Sequence, residues 1–238
     1  MKLSVIIPMY NEGRIIENTA RTLCAYLESN FSDFEVIFSD DGSTDDSANI
    51  VKSLKLPCVR VLEGERNRGK GYAVRRGMLS AKGDICLFTD ADLAYGVRYV
   101  AEAVSYLTEN PDVDVVVGSR NIASGGYDGY TPVRKFMSKA YVWLLRVFGN
   151  VRLSDSQCGF KAFRASAARD IFEKCSFDGF SFDFEVILIA YALGINIAEM
   201  PVKVINHRDS SIRPLRDALR MLGDVRKIKK SVLRKSRK

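Results

Sequence analysis

The chain has 238 residues, 47% of them apolar, with five cysteines, one histidine and a net charge of +7. That length suits one domain with room for a small second lobe. No run of about 18 apolar residues is present to cross a bilayer, and a single histidine, His207, excludes a multi-histidine metal site. The cysteines (Cys24, Cys58, Cys86, Cys158 and Cys175) are odd in number and scattered, with no Cys-x-x-Cys pair. This supports neither a zinc ribbon nor a disulfide framework and fits a reducing cytoplasm. The charge is uneven. Arg226, Lys227, Lys229, Lys230, Arg234, Lys235, Arg237 and Lys238 supply eight positive charges with no acid after Asp224. The body is therefore close to neutral, which argues against a nucleic-acid-binding body, and residues 226–238 read as a basic tail able to meet an anionic surface.

In chain order, Leu3–Pro8 is a continuous apolar run that reads as a first strand and is too short for a signal peptide. Gly13–Glu28 has helical spacing, Phe34–Ser39 is a second strand, and Thr44–Leu54 a helix capped by Ser43 or Thr44 with Asp45 and Asp46 in its first turn. Val59–Leu62, Lys70–Ala81, Asp84–Phe88, Gly96–Leu107 and Val113–Gly118 continue the alternation of strand and helix. Such alternation predicts an α/β fold with a mostly parallel central sheet and helices on both faces, whose ligands sit outside the carboxyl ends of the strands.

Beyond a Gly-, Tyr- and Ser-rich loop over Asn121–Thr131, the pattern changes. Val133–Phe148 is an apolar helix interrupted by basic residues. It suits either the core or a headgroup boundary, where Trp and Lys are favoured. Ser154–Arg164 reads as a turn and short strand, Ala165–Lys174 and Asp183–Leu193 as helices, Ile195–Ile205 as one or two strands, and Pro214–Lys230 as an amphipathic helix entering the tail. The whole is one domain over 1–225, its halves 1–120 and 121–225 divided where the pattern changes, before a basic tail over 226–238.

The chemistry gathers at the strand ends. The first strand runs into Pro8-Met9-Tyr10-Asn11-Glu12, the second into Asp40-Asp41-Gly42-Ser43, the fourth into Asp90-Ala91-Asp92 and the fifth into Gly118-Ser119-Arg120. Paired carboxylates at a strand end suit a hard divalent cation, Mg²⁺ or Mn²⁺, which takes one or two protein oxygens and completes its shell with phosphate and water. Asp40 reads as an Asx-type turn cap. Asn67-Arg68-Gly69-Lys70-Gly71 is a glycine-rich helix start that is attractive to anions but lacks the spacing of a nucleotide-hydrolase phosphate loop.

These four segments, in this order, resemble the family 2 glycosyltransferases, which have the GT-A nucleotide-diphospho-sugar transferase fold. Asp155-Ser156-Gln157-Cys158-Gly159-Phe160-Lys161 is similar to the segment that marks the dolichyl-phosphate β-glucosyltransferase branch of the polyprenyl-phosphate enzymes; mannosyl relatives usually carry Ser-Gly-Phe-Arg there. The resemblance implies transfer of glucose from UDP-glucose to dolichyl or another polyprenyl phosphate, with inversion and with Mg²⁺ or Mn²⁺. A GDP-mannose donor, or a saccharide acceptor, is the alternative within the family. A non-catalytic domain recruited by its tail is the alternative outside it.

By position, Pro8, Tyr10, Glu12, Ser39 and Asp41 match the nucleotide site, with Asp41 on the base. Arg68 or Lys70 falls near the sugar or diphosphate. Asp90, Ala91 and Asp92 match the donor and metal site, with Asp90 and Asp92 as the metal pair. Arg120 is placed to meet a phosphate and Arg134 the lipid-linked phosphate, so Asp92, Arg120 and Arg134 are the expected catalytic residues. Arg208 or Arg213 closes over the diphosphate. A phosphate monoester is already anionic near neutrality, with a second pKa of about 6, so no general base is required. A lipid acceptor implies peripheral attachment to the cytoplasmic face of a membrane through the tail and the apolar helix, with no nucleic-acid partner.

Overall fold

A computed structural model of the chain describes residues 1–126, 139, 143, 151–206 and 223–232. Seven strands form one sheet in the order β3-β2-β1-β4-β6-β5-β7. β1 (Leu3–Met9) pairs in parallel with β2 (Phe34–Asp40) on one side and β4 (Ile85–Phe88) on the other, and β3 (Val59–Leu62) extends the sheet beyond β2. β6 (Lys161–Arg164) inserts antiparallel between β4 and β5 (Val115–Ser119), and β7 (Ile197–Pro201) pairs in parallel with β5. The sheet is mostly parallel, as the alternation predicts.

Alternate residues of a strand face opposite sides of the sheet, and β1 shows what that does here. Leu3, Val5, Ile7 and Met9 pack in one core with Leu23 and Leu27 of α1 (Ile16–Asn30), Val51 of α2 (Ser47–Ser53) and Val100 and Leu107 of α4 (Arg98–Glu109). Ile6 packs in the opposite core with Val74 and Met78 of α3 (Lys70–Ser80), Phe172 of α5 (Ala165–Phe172) and Phe184 and Ile187 of α6 (Phe182–Ala192). Gly77 lets α3 lie close on the sheet, since a Cβ there would sit 2.5 Å from Ile6 Cγ2.

α1 begins at Ile16, not Gly13. α2 begins at Ser47, not Thr44, because the preceding polar groups are spent on loop contacts. Asn11 Oδ1 accepts the Thr44 N–H at 2.8 Å, and the Asp45 carboxylate accepts the N–H groups of Gly13 and Ser47, both at 3.0 Å. The helix expected over Pro214–Lys230 is present where that segment is described. Residues 223–232 are helical, with Val225, Ile228 and Val232 buried in the second core and Arg226, Lys227, Lys229 and Lys230 exposed. Of the apolar helix expected over Val133–Phe148, Lys139 and Trp143 are helical and exposed. Arg134, His207, Arg208 and Arg213 lie outside the described residues.

Candidate functional site

The carboxyl ends of β1, β2 and β4 open on one side of the sheet, and side chains from their loops cross-link them. Asn11, held at φ 55°, accepts from Thr44 with its side chain, while its own N–H donates to Ser43 Oγ at 2.9 Å. Asp40 accepts the Ser43 N–H at 3.1 Å, closing the expected Asx-type turn. Pro8 is buried in β1 opposite Ser39, also buried, whose hydroxyl has no hydrogen-bond partner among the described residues; Tyr10 stands at the surface, 41% exposed.

Asp41 is buried immediately beyond β2. Its two carboxylate oxygens accept the N–H groups of Arg68 at 3.0 Å and Gly69 at 2.7 Å. Those amides open α3, so the anion at this helix start is Asp41 itself. Burial raises its pKa above the usual carboxylate range, with the neighbouring Asp40 adding to the effect against the pull of the two amides. Gly42 (φ +74°) is needed here, because a Cβ would lie 2.5–2.7 Å from the Arg66 backbone.

Lys70, the first residue of α3, forms an ion pair with Asp90 beyond β4. Burial opposes the Lys70 charge, but Asp90, Asp183 and Asp92 outweigh it and raise its pKa, so the ammonium is held charged. Asp92 sits two residues on, with Oδ1 accepting the Ala94 N–H at 3.0 Å. Burial, then the nearby Asp90 charge, raises the Asp92 pKa, which marks a place that favours added positive charge. The loop is held from both sides: Thr19 of α1 donates to the Ala91 carbonyl at 2.6 Å and Asn206 to the Asp92 carbonyl at 3.1 Å. A cleft of about 430 Å³ reaches Asp92 between Asn18, Thr22, Val97 and Ile205.

The segment from Asp155 to Lys161 forms the wall behind these carboxylates. Gly159 lies against Asp90, where any Cβ would overlap Asp90 Oδ2. Lys161, fully buried, forms an ion pair with Asp183 in the first turn of α6 and donates to the Cys158 carbonyl at 2.7 Å. Burial raises the Asp183 pKa against the pull of Lys161 and Lys70. Charges thus alternate inward from the surface: Asp90, Lys70, Asp183, Lys161. Asp155, also fully buried, takes Arg120 in a two-pronged pair, Nε to Oδ2 at 2.6 Å and Nη2 to Oδ1 at 2.8 Å. Burial alone would raise the Asp155 pKa, but the Arg120 guanidinium lowers it below the usual range. Glu199 of β7 fixes the turn by accepting the Ser154 N–H at 2.9 Å and the Asp155 N–H at 3.2 Å.

Among the expected residues, Lys70, Asp90 and Asp92 therefore come together, with Asp41 bonded to the start of the helix that carries Lys70. Arg120 directs its fork into Asp155, so the geometry gives it the part of a scaffold for the motif. Lys161, Asp155 and Asp183 were not expected at the site. Lys161 and Asp155 were visible only as letters of a motif, and Asp183 reads in sequence as an ordinary first-turn acid.

The family pattern described as glycosyl transferase family 2 matches residues 4–172. The chain belongs to glycosyl transferase family 2. It is accordingly a glycosyltransferase. It is 34% identical over 219 residues to "Dolichyl-phosphate beta-glucosyltransferase ALG5C" of Trichomonas vaginalis, covering 87% of this chain and 65% of that protein. It is 32% identical over 243 residues to the dolichyl-phosphate beta-glucosyltransferase of Dictyostelium discoideum, covering 95% of this chain and 73% of that one. The chain thus spans about two thirds to three quarters of these relatives. Among solved structures it is similar to glucosyl-3-phosphoglycerate synthase of Mycobacterium tuberculosis in complex with Mn²⁺, UDP and glucosyl-3-phosphoglycerate. The TM-score is 0.69 and the identity 21%, over 98% of this chain and 78% of that chain, which establishes the GT-A fold.

Proposed function

We propose that this family 2 glycosyltransferase moves glucose from UDP-glucose to a polyprenyl phosphate of the dolichyl type, with inversion, at the cytoplasmic face of a membrane. The observation that carries the reading is the placement of the Asp155–Lys161 segment. The stretch that resembles the dolichyl-phosphate glucosyltransferase motif forms the wall of the Asp90–Lys70 site, through Gly159 against Asp90 and Lys161 on Asp183. Relatives bearing that name align over almost the whole chain.

The donor set fits Mg²⁺ or Mn²⁺. Asp90 and Asp92 offer hard carboxylate oxygens, and among the described residues no third His, Cys, Asp or Glu joins them in a cluster. Such ions usually take one or two carboxylates and fill the rest of their shell with phosphate and water. When bound, the ion would neutralise charge on the departing diphosphate. Lys70 adds a second, fixed positive charge beside Asp90, worth more in a buried site than in water. Asp41 retains a lone pair on each oxygen beyond those used by Arg68 and Gly69, enough to accept an N–H of a uracil base. The acceptor phosphate attacks as the anion it already is, so no side chain must remove its proton. Exposed Lys139 and Trp143, one helical turn apart, support contact with a lipid surface.

The test is transfer of radiolabelled glucose from UDP-glucose to dolichyl phosphate in detergent, with and without Mg²⁺ or Mn²⁺, beside GDP-mannose as a rival donor. A lipid-soluble glucosyl product from UDP-glucose alone is expected, abolished in Asp92→Ala with the fold retained. Product from GDP-mannose instead overturns the donor, and near wild-type turnover of Asp92→Ala overturns the site.

A further inference from the structure

The loop between α5 and α6 is pinned at several points. Glu185 accepts the N–H groups of Ser176 at 2.9 Å and Phe177 at 2.8 Å. Asp178 pairs with Arg68 at 2.8 Å and Arg75 at 2.7 Å, and its carbonyl accepts the Tyr72 N–H at 3.2 Å. Gly69 and Gly71 of the α3 start lie against its backbone. Two residues beyond Asp178, Phe180 is 62% exposed. A large aromatic ring presented on an anchored loop offers apolar area that a partner surface can bury without reordering the loop.

The surroundings of Phe180 point to the kind of surface it suits. Its neighbour Ser181 donates to Asp224 at 3.3 Å, tying the loop to the first turn of the helix over residues 223–232. That helix turns Val225, Ile228 and Val232 inward and exposes Arg226, Lys227 and Lys230, and the sequence continues with four further basic residues and no acid. An exposed ring beside a basic helix is complementary to a surface with an apolar interior and anionic headgroups. The same loop packs on the α3 start that carries Lys70 to Asp90, so whatever covers Phe180 adjoins a loop that supports the site.

We propose that Phe180 and the basic face of residues 223–232 form a docking surface for an anionic phospholipid bilayer, with the Phe180 ring inserted at the headgroup boundary. This deepens the function above, in which the acceptor is a lipid, by naming the surface that delivers the site to it.

The test is flotation of the full chain with phosphatidylcholine vesicles containing phosphatidylserine and no polyprenyl phosphate. The wild type floats at low salt and less at high salt. Phe180→Ala lowers the partition coefficient about tenfold or more, as for losing a buried aromatic side chain. Replacing Arg226, Lys227 and Lys230 together by Gln lowers it roughly a hundredfold, at about 1 kcal/mol per charge. Both variants keep wild-type thermal stability and transfer glucose normally to a short-chain polyprenyl phosphate in detergent. The proposal is overturned if the wild type stays at the bottom, if Phe180→Ala floats like the wild type, or if the wild type prefers a single-stranded RNA oligomer to the vesicles. Flotation as expected with no glucosyl transfer by any form leaves the docking surface standing and removes the acceptor reading.

Discussion

Replacing Lys161 by Met tests whether the buried charges behave as one chain. Lys161 is 0% exposed, paired with Asp183 and bonded to the Cys158 carbonyl at 2.7 Å. Met fits the stem but strands the Asp183 carboxylate and leaves the carbonyl without its donor. Removing one partner of a buried pair typically costs about 3–5 kcal/mol, because the other charge stays behind uncompensated. At roughly 2–4 °C per kcal/mol for a domain of this size, Tm falls by about 6–20 °C. Lys161→Met combined with Asp183→Leu removes both charges and recovers part of that loss, a coupling of roughly 2–3 kcal/mol in a double-mutant cycle. Urea unfolding followed by circular dichroism measures all four corners. The sign with pH follows from Asp183, whose folded pKa is raised and rises further without Lys161. Such a group costs nothing below its unfolded pKa of about 3.9, and costs progressively more as pH rises through its folded value. The deficit of Lys161→Met therefore shrinks on acidification. A single-variant loss under about 1 kcal/mol, or single losses that simply add in the double variant, would refute the reasoning.

Other substitutions probe the neighbouring contacts. Gly159→Ala forces Asp90 aside, and a displacement of about 1 Å at the reacting centre costs on the order of a hundredfold in kcat, with the far-ultraviolet spectrum unchanged. Gly42→Ala meets both a positive φ and the Arg66 backbone, so chemical denaturation should give a loss of about 1–3 kcal/mol, and UDP should bind more weakly because Asp41 adjoins it. Asp155→Asn weakens the hold on Arg120. The wild-type Asp155 pKa is lowered in the fold, so its contribution is present above the unfolded pKa of about 3.9 and lost as pH falls through the folded value. The variant is thus less stable than the wild type at pH 7 by about 3 kcal/mol or more, and the gap closes in acid; a gap constant from pH 7 to 3 contradicts the pairing.

The sheet was readable because its strands are short apolar runs bounded by turn residues. Val59–Leu62 is found as expected, and the other parallel strands begin or end within a residue or two of their apolar runs. The direction of β6 was not readable. A four-residue strand after a turn carries no mark of whether it pairs in parallel or reversed, and that choice is made by its neighbours β4 and β5. The start of α2 was misplaced for a local reason. Asp45 has the composition of a first-turn acid, but the β1 loop engages it through Gly13. In the site, Asp90 and Asp92 were legible because two carboxylates after a buried strand are a local pattern. The pairing of Lys161 with Asp183 was not, because 22 residues separate them and each has a common alternative use.

The Asp155–Lys161 segment also explains why its letters form a long, specific run. Four of its seven residues answer to different constraints. Asp155 matches the Arg120 fork, Gly159 clears Asp90, Phe160 packs edge-on to Tyr95 and Tyr99, and Lys161 neutralises Asp183. Arg in place of Lys161 would carry the same charge on a planar fork, which meets a carboxylate in two places and does not reach the Cys158 carbonyl from a single nitrogen in the same way. Lys161→Arg in this chain is therefore expected to seat Asp183 differently, and through the charge of Lys70 to reach Asp90. In this geometry a change at residue 161 is expected to act through the position of a carboxylate beside Lys70 and Asp90. Kinetics of Lys161→Arg with UDP-glucose examine this directly. The position of Asp90 should alter kcat and the donor KM while leaving the acceptor KM unchanged, and a change confined to the acceptor KM would place the discrimination elsewhere.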